Sequence, residues 1–236
     1  MKFAVIGDIH SNIYALESVI EDIKKKDVDL ILCTGDMVGY APFPNEVIDM
    51  IRANNILSVQ GNYDKAIGNS ELVCGCDYKD EKQLELAGMS VMFTNKTITE
   101  KNRKYLKELP GKVTLKAGEY SICLVHGSPR KINEYLFEES DEVKEVTKEL
   151  EEDILICGHT HKPYYNVING KHIVNSGSAG KPKHGNPNAT YVILNINDTD
   201  INVDIVEVPY DYEKTATAIE NTGLLPDEFA CLLRKG

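Results

Sequence analysis

Phe3-Ala4-Val5-Ile6-Gly7-Asp8-Ile9-His10-Ser11-Asn12 decides the fold. A short apolar run closed by glycine reads as a buried strand, and the stretch after it, Asn12 to Lys26, places Ala15, Leu16, Val19, Ile20 and Ile23 at helical spacing. The same unit then recurs. Leu30 to Cys33 runs into Gly35-Asp36, a helical pattern follows from Asn45 to Asn54 with Val47, Ile48 and Ile51, and Leu57 to Val59 runs into Gly61-Asn62-Tyr63-Asp64. Strand, helix, strand, helix, strand predicts an α/β fold built on a parallel sheet with helices on its faces. In such sheets ligands gather beyond the carboxyl ends of the strands, where the polar residues of these units fall.

Two later runs end in the same way, Ile122 to Val125 before His126-Gly127 and Ile154 to Cys157 before Gly158-His159-Thr160-His161. Asp77 to Leu109 is charged and helical in pattern, a candidate cap over the site that stops at Pro110-Gly111. Val113 to Leu115 and Tyr120 to Val125 flank Ala117-Gly118 as a hairpin, and Glu138 to Glu152 reads as an amphipathic helix. From Tyr164 the pattern turns to strands: 164 to 168, 172 to 174, 189 to 196 and 201 to 208, a second and more antiparallel sheet. The tail from Tyr212 reads as two short helices broken near Gly223 and Pro226, and the absence of a linker or low-complexity stretch predicts one domain over 1–236.

The 42% hydrophobic and 27% charged content of the 236 residues suits a globular protein. No run reaches the roughly 18 apolar residues of a membrane span, and Met1-Lys2 leaves no room for a signal peptide, so a cytoplasmic location is expected. Cys33, Cys123 and Cys157 sit inside apolar runs and read as core thiols, and Cys74-Gly75-Cys76 reads as loop thiols rather than a zinc site. A net charge of −11 with no basic stripe disfavours extended nucleic acid. An anionic substrate must then be drawn in by bound cations.

Asp8, His10, Asp36, Asn62, His126, His159 and His161 form a mixed oxygen and nitrogen set larger than one four-coordinate site uses. Singly, a His at a strand end is more often a structural residue and a Gly-Asp pair more often a turn. Jointly they are not chance, because four of the six His share this one context. Two cations about 3.5–4 Å apart generate hydroxide at neutral pH and clamp the charge of an in-line displacement at phosphorus. Asp36, alone at the end of a buried strand, suits the bridging position, while Asp8 and His10 can chelate one ion from alternate positions of an extended turn. His159 and His161 point different ways and can serve different ions. Asn62 offers a carbonyl to a metal and an NH₂ to a phosphate oxygen.

The order D-x-H, G-D, G-N-x-D, H and G-H-x-H resembles the calcineurin-like metallophosphoesterase superfamily over nearly the whole chain. Gly7 to Asn12, Gly35-Asp36-Met37-Val38-Gly39-Tyr40, His126-Gly127-Ser128-Pro129 and Asn175-Ser176-Gly177-Ser178 are similar to its small prokaryotic phosphodiesterase and diadenosine-tetraphosphatase-like branch. The resemblance implies a four-layer α/β/β/α sandwich of two mixed sheets flanked by helices. It also implies two divalent ions (Mn, Fe, Zn, Ni or Co), one on Asp8, His10, Asp36 and His161, the other on Asp36, Asn62, His126 and His159. The expected activity is hydrolysis of a small phosphate ester, a phosphodiester or else a monoester or anhydride, by a metal-bridging hydroxide. A metal-binding scaffold with weakened turnover is the alternative, and a nuclease for short substrates a third.

The chain departs from the pattern at Tyr63, where the family usually has His. That His, oriented by the following acid, here Asp64, is held to protonate the leaving oxygen or bind phosphate; a Tyr of pKa near 10 is a poorer proton donor at pH 7. A preference for good leaving groups is therefore expected, with Asp64 partly a structural remnant. Arg130 is a candidate phosphate contact, Lys181, Lys183 and His184 lie in a loop that can edge the pocket, and His172 reads as a surface residue.

Overall fold

The computed structural model describes residues 1–75, 80–197 and 200–236. β1 (Lys2–Ile6), β2 (Leu30–Cys33) and β3 (Leu57–Ser58) lie parallel, joined by α1 (Ile13–Ile23) and α2 (Pro44–Ala53). α3 (Asn62–Gly68), α4 (Glu81–Thr97) and α5 (Glu100–Glu108) follow. β4 (Lys112–Ala117) and β5 (Tyr120–Val125) form the expected hairpin, and β5, β6 (Ile154–Cys157) and β8 (Lys171–Asn175) run parallel, with α6 (Asp141–Glu149) between β5 and β6.

The strands after Tyr164 do not make a sheet of their own. β7 (Tyr164–Ile168) pairs with β8, whereas β9 (Ala189–Ile196) crosses back to pair antiparallel with β1 and carries β10 (Ile201–Val208) on its outer edge. Two five-stranded mixed sheets result, β10-β9-β1-β2-β3 and β4-β5-β6-β8-β7. Each strand signal was legible, but partner choice is a long-range matter of which edge each apolar face can cover.

The period of two along each strand builds the layers. Phe3 and Val5 of β1 face inward with Leu32, Val192 and Leu194 to meet Ile122, Leu124, Ile154, Ile156 and Val174 of the other sheet. Ala4 and Ile6 face outward onto Leu16, Val19 and Ile20 of α1 and onto Ala216 and Ile219 of α7 (Tyr212–Asn221). On the far side Cys123, Leu155 and Ile173 pack on Val143 and Val146 of α6. This gives the expected α/β/β/α order, with α8 (Asp227–Lys235) closing the first helical layer through Phe229 and Leu233.

The five described cysteines are free thiols, and burial raises Cys33 and Cys157 to about 12, out of reach of thiolate chemistry. Cys74 is buried, while Cys76 and the start of the expected cap at Asp77 lie outside the described residues. No helix among the described residues is long and apolar enough to cross a membrane.

Candidate metal centre

The five polar segments follow the carboxyl ends of β1, β2, β3, β5 and β6, and their loops are laced together by backbone bonds. Asp8 and Ile9 donate N–H to the carbonyls of Gly35 and Asp36, Gly158 to His126, and Ala179 and Gly180 to Gly7 and Asp8. Gly35 (φ +95°) and Gly61 stand face to face, since a Cβ on Gly35 would lie 2.4 Å from the Gly61 nitrogen. Asn12, the N-cap of α1, bolts the first loop to the rest: its Oδ1 accepts from Ala15 N–H and the Thr215 hydroxyl, and its Nδ2 donates to the Gly180 carbonyl.

Asp8, His10, Asp36, His159 and His161 all have positive φ, between 48° and 64°. The extended turn expected for Asp8 and His10 is therefore a left-handed one, a conformation that costs a non-glycine residue about 1 kcal/mol or more. Asp8, His10 and His161 offer ligand atoms within 4.8 Å of one another, and so do Asp36, His126 and His159. His159 and His161 thus serve different groups. Asp36 Oδ2 lies 3.5 Å from His126 Nε2 and 3.8 Å from His10 Nε2, between the two groups, while its Oδ1 accepts the Tyr63 N–H at 2.8 Å.

The donor set is prepared for cations. His10, His126 and His161 each donate Nδ1–H to a backbone carbonyl, of Val38 (3.1 Å), Thr34 (2.9 Å) and Lys181 (2.6 Å), which leaves Nε2 as a bare lone pair in the neutral ring. The rings are held neutral. Burial lowers the pKa of all four candidate ligand histidines, aided for His161 by the nearby charges of Lys183 and Lys181 and for His10 by His161. Acceptors then face each other in each group, the lone pairs of His10 Nε2 and His161 Nε2 at 3.2 Å, and the lone pair of His126 Nε2 and Asn62 Oδ1 at 2.9 Å, with His159 Nδ1 3.0 Å from the same Nε2. Asp8 Oδ1 is buried without a hydrogen bond 3.2 Å from His161 Nε2, and burial with the charges of Asp64 and Asp8 pushes Asp36 well above the usual carboxylate range. Buried acceptors facing acceptors are costly unless a cation lies between them, so the residues fit divalent metal.

Asn62 turns Oδ1 to His126 Nε2 at 2.9 Å. Its NH₂, expected to face phosphate, donates to the Cys74 carbonyl and fixes the orientation of the amide. Asp64 is buried, accepts N–H from Gly61 (3.0 Å) and Met37 (2.9 Å), and ties the Asn62 turn to the Asp36 loop; burial pushes it up to about 6. Tyr63 is 1% exposed, its ring 5.5 Å from His10 and 5.1 Å from Tyr40. Arg130 is committed elsewhere, to both oxygens of Glu134 and to Glu145. His172, expected at the surface, is half-buried, with Nδ1 2.8 Å from the Tyr165 hydroxyl and its ring stacked on that phenol.

Several roles went unread in the sequence. Thr34, Val38 and Lys181 act through their carbonyls, which carry no side-chain signal at all. Tyr135 lies 4.1 Å from the His159 ring and Tyr40 stands edge-on to His10 at 4.8 Å. Ser178 holds the Asp8 carbonyl at 2.7 Å, in the Asn175 to Ser178 segment that the resemblance had marked.

A model of the calcineurin-like phosphoesterase superfamily domain matches residues 1–199. The chain belongs to that superfamily. It is 34% identical over 228 residues, 89% of this chain and 88% of the other, to the uncharacterized protein MJ0912 of Methanocaldococcus jannaschii. The crystal structure of a metallophosphoesterase from Sphaerobacter thermophilus superposes with a TM-score of 0.79 at 28% identity, covering 99% of this chain and 98% of that one. The phosphodiesterase YaeI of Escherichia coli is 26% identical over 172 residues, 68% of this chain, which spans only 60% of that protein's length.

Proposed function

We propose that this superfamily member is a dinuclear metal-dependent phosphoesterase acting on small phosphodiesters, with activated monoesters or anhydrides as further substrates. The observation that carries the reading is Asp36 Oδ2, placed between two buried groups of ligands. Asp8, His10, Asp36 and His161 would hold one ion, and Asp36, Asn62, His126 and His159 the other. Two such ions supply Lewis acidity and a nucleophilic water at neutral pH.

The chain's own part is preorganisation. The carbonyls of Val38, Thr34 and Lys181 keep three imidazoles in the tautomer that exposes Nε2, and the Tyr63 N–H holds Asp36 so that Oδ2 stays turned to both groups. Asp64 reads as the clamp of the Gly61 to Asp64 turn, since it accepts two backbone N–H groups. Tyr63, buried and of high intrinsic pKa, gives little proton help to a leaving alkoxide, so diesters and esters with good leaving groups are favoured. A relative named as a phosphodiesterase agrees with the diester reading.

The test is stripping with a chelator, reloading with Mn or Zn, and assay of bis(4-nitrophenyl) phosphate alongside metal analysis. Two ions per chain with turnover, both lost in Asp36→Asn, are expected. Two bound ions without turnover on mono-, di- and anhydride substrates would establish the scaffold reading instead.

A further inference from the structure

The family model ends at residue 199, and the chain continues past it into β10, α7 and α8. The two helices are braced as one unit, since Arg234 of α8 pairs with Glu213 and Glu220 of α7. Thr215 of α7 is fully buried, and its hydroxyl donates to Asn12 Oδ1 at 2.7 Å, 203 residues away along the chain. Tyr210, just ahead of α7, accepts an N–H from Asn12 Nδ2 at 2.9 Å. The other N–H of that amide goes to the Gly180 carbonyl, also at 2.9 Å, so both hydrogens are used and the amide plane is fixed.

Asn12 thereby ties α7 to two loops at once. It follows His10 by two residues in the first loop. Gly180, in the second, donates N–H to the Asp8 carbonyl and lies so close that a Cβ on it would stand 1.7 Å from the Ile9 oxygen. The next carbonyl, of Lys181, orients His161. From α8, Phe229 meets Tyr40 edge-on at 5.1 Å, and Tyr40 meets His10 at 4.8 Å. The gap that His10 and Gly180 share with Thr215, Phe229 and Leu233 measures about 20 Å³, so both helices back His10. The first loop needs such a hold: Asp8, His10 and Ser11 have φ of 48°, 50° and 58°, a left-handed backbone that persists in non-glycine residues only where the surroundings impose it. The partners that orient the other group come from elsewhere, the Thr34 carbonyl for His126, the Cys74 carbonyl for Asn62 and the Tyr135 ring for His159.

Resting on the dinuclear reading, we propose that Thr215 and Tyr210 are positioning residues for one ion of the pair, that of Asp8, His10 and His161. Acting through Asn12, they keep these ligand atoms converged and set the affinity of that ion, while the ion of Asn62, His126 and His159 is independent of them. The metal centre is then asymmetric: one half is braced by helices that lie beyond the family domain.

The full chain is stripped with a chelator and titrated calorimetrically with Zn. Thr215→Val removes the hydroxyl at nearly constant volume, and Asn12 Oδ1 keeps its bond from Ala15 N–H. It should weaken one of two ions about tenfold or more, the usual effect of losing an outer-shell partner, and leave the other within about twofold. Thr215→Ser, which retains the hydroxyl, should restore the wild-type titration. Tyr210→Phe, at a half-buried position, should weaken the same ion and carries the test if the buried valine lowers the melting curve of the metal-free protein. In a His161→Ala background, which dismantles the first group, Thr215→Val should leave the remaining ion unchanged; in a His159→Ala background the full loss should appear. Equal weakening of both ions, no weakening of either, or a loss that serine does not restore overturns the positioning role. Wild-type protein that takes up fewer than two ions rejects the dinuclear reading itself, whereas two ions indifferent to Thr215 and Tyr210 reject the positioning role alone.

Discussion

Gly61→Ala should disable the centre while leaving the fold in place. Gly61 has φ −83° and ψ 171°, an extended conformation open to any residue, so alanine carries no backbone strain there. The whole effect is contact. A Cβ on Gly61 would stand 2.2 Å from both the backbone nitrogen and Oδ1 of Asp36. Relief to an ordinary contact requires a displacement of about 1 Å, and the rigid partner is backbone, so the carboxylate that lies between the two ligand groups must move. Overpacking of this kind costs about 1–3 kcal/mol, which in a chain of this size lowers the melting temperature by roughly 2–12 °C. Misplacement of reacting groups by 1 Å costs roughly 100-fold in rate. The assay is kcat/KM on bis(4-nitrophenyl) phosphate with metal stoichiometry and a melting curve, and Gly111→Ala is the control, because nothing lies within 4 Å of its Cβ. Full activity with two ions in the Gly61 variant would refute the bridging role given to Asp36.

Tyr63→His should raise turnover of an alkyl phosphate more than that of an aryl phosphate, since general acid help is worth about 100-fold or more where the leaving group is poor; equal gains would remove leaving-group protonation as the reason for the difference. Arg130→Ala should leave KM within about twofold and cost under about 1 kcal/mol, because the guanidinium is partly exposed and paired with Glu134 and Glu145; a tenfold rise in KM would restore it as a phosphate contact. His172 should titrate below its ordinary 6.5 by NMR, burial outweighing the opposing charge of Asp153. A folded pKa below the unfolded one means that this residue withdraws stability as pH falls through 6.5 and has no effect well above it. A His172 titration at or above 6.5 would contradict its burial against Tyr165.

The candidate ligands were legible because each closes an apolar run, a local pattern that a strand imposes on its own sequence. So was the βαβαβ order from Phe3 to Asn62, in which each strand pairs with the next one along the chain. The return of β9 to β1 was not, since Phe3 and Leu194 are joined only by a register that tertiary packing selects. Nor was the commitment of Arg130, whose Glu145 partner is supplied by α6, fifteen residues on.

What the sequence determined by itself is the chemistry: residue types, their number, and their position at strand ends, which suffice for a buried set of oxygen and nitrogen donors. What only the tertiary structure decided is which lone pairs meet. Asp8 Oδ2 receives the His159 N–H across 151 residues, His10 and His161 close one group over the same span, and five of the candidate ligands have left-handed backbone. Carbonyls of Thr34, Val38 and Lys181 select the tautomers. Backbone carbonyls are the same on every residue, so their placement leaves no trace in the sequence and is set by how the loops pack.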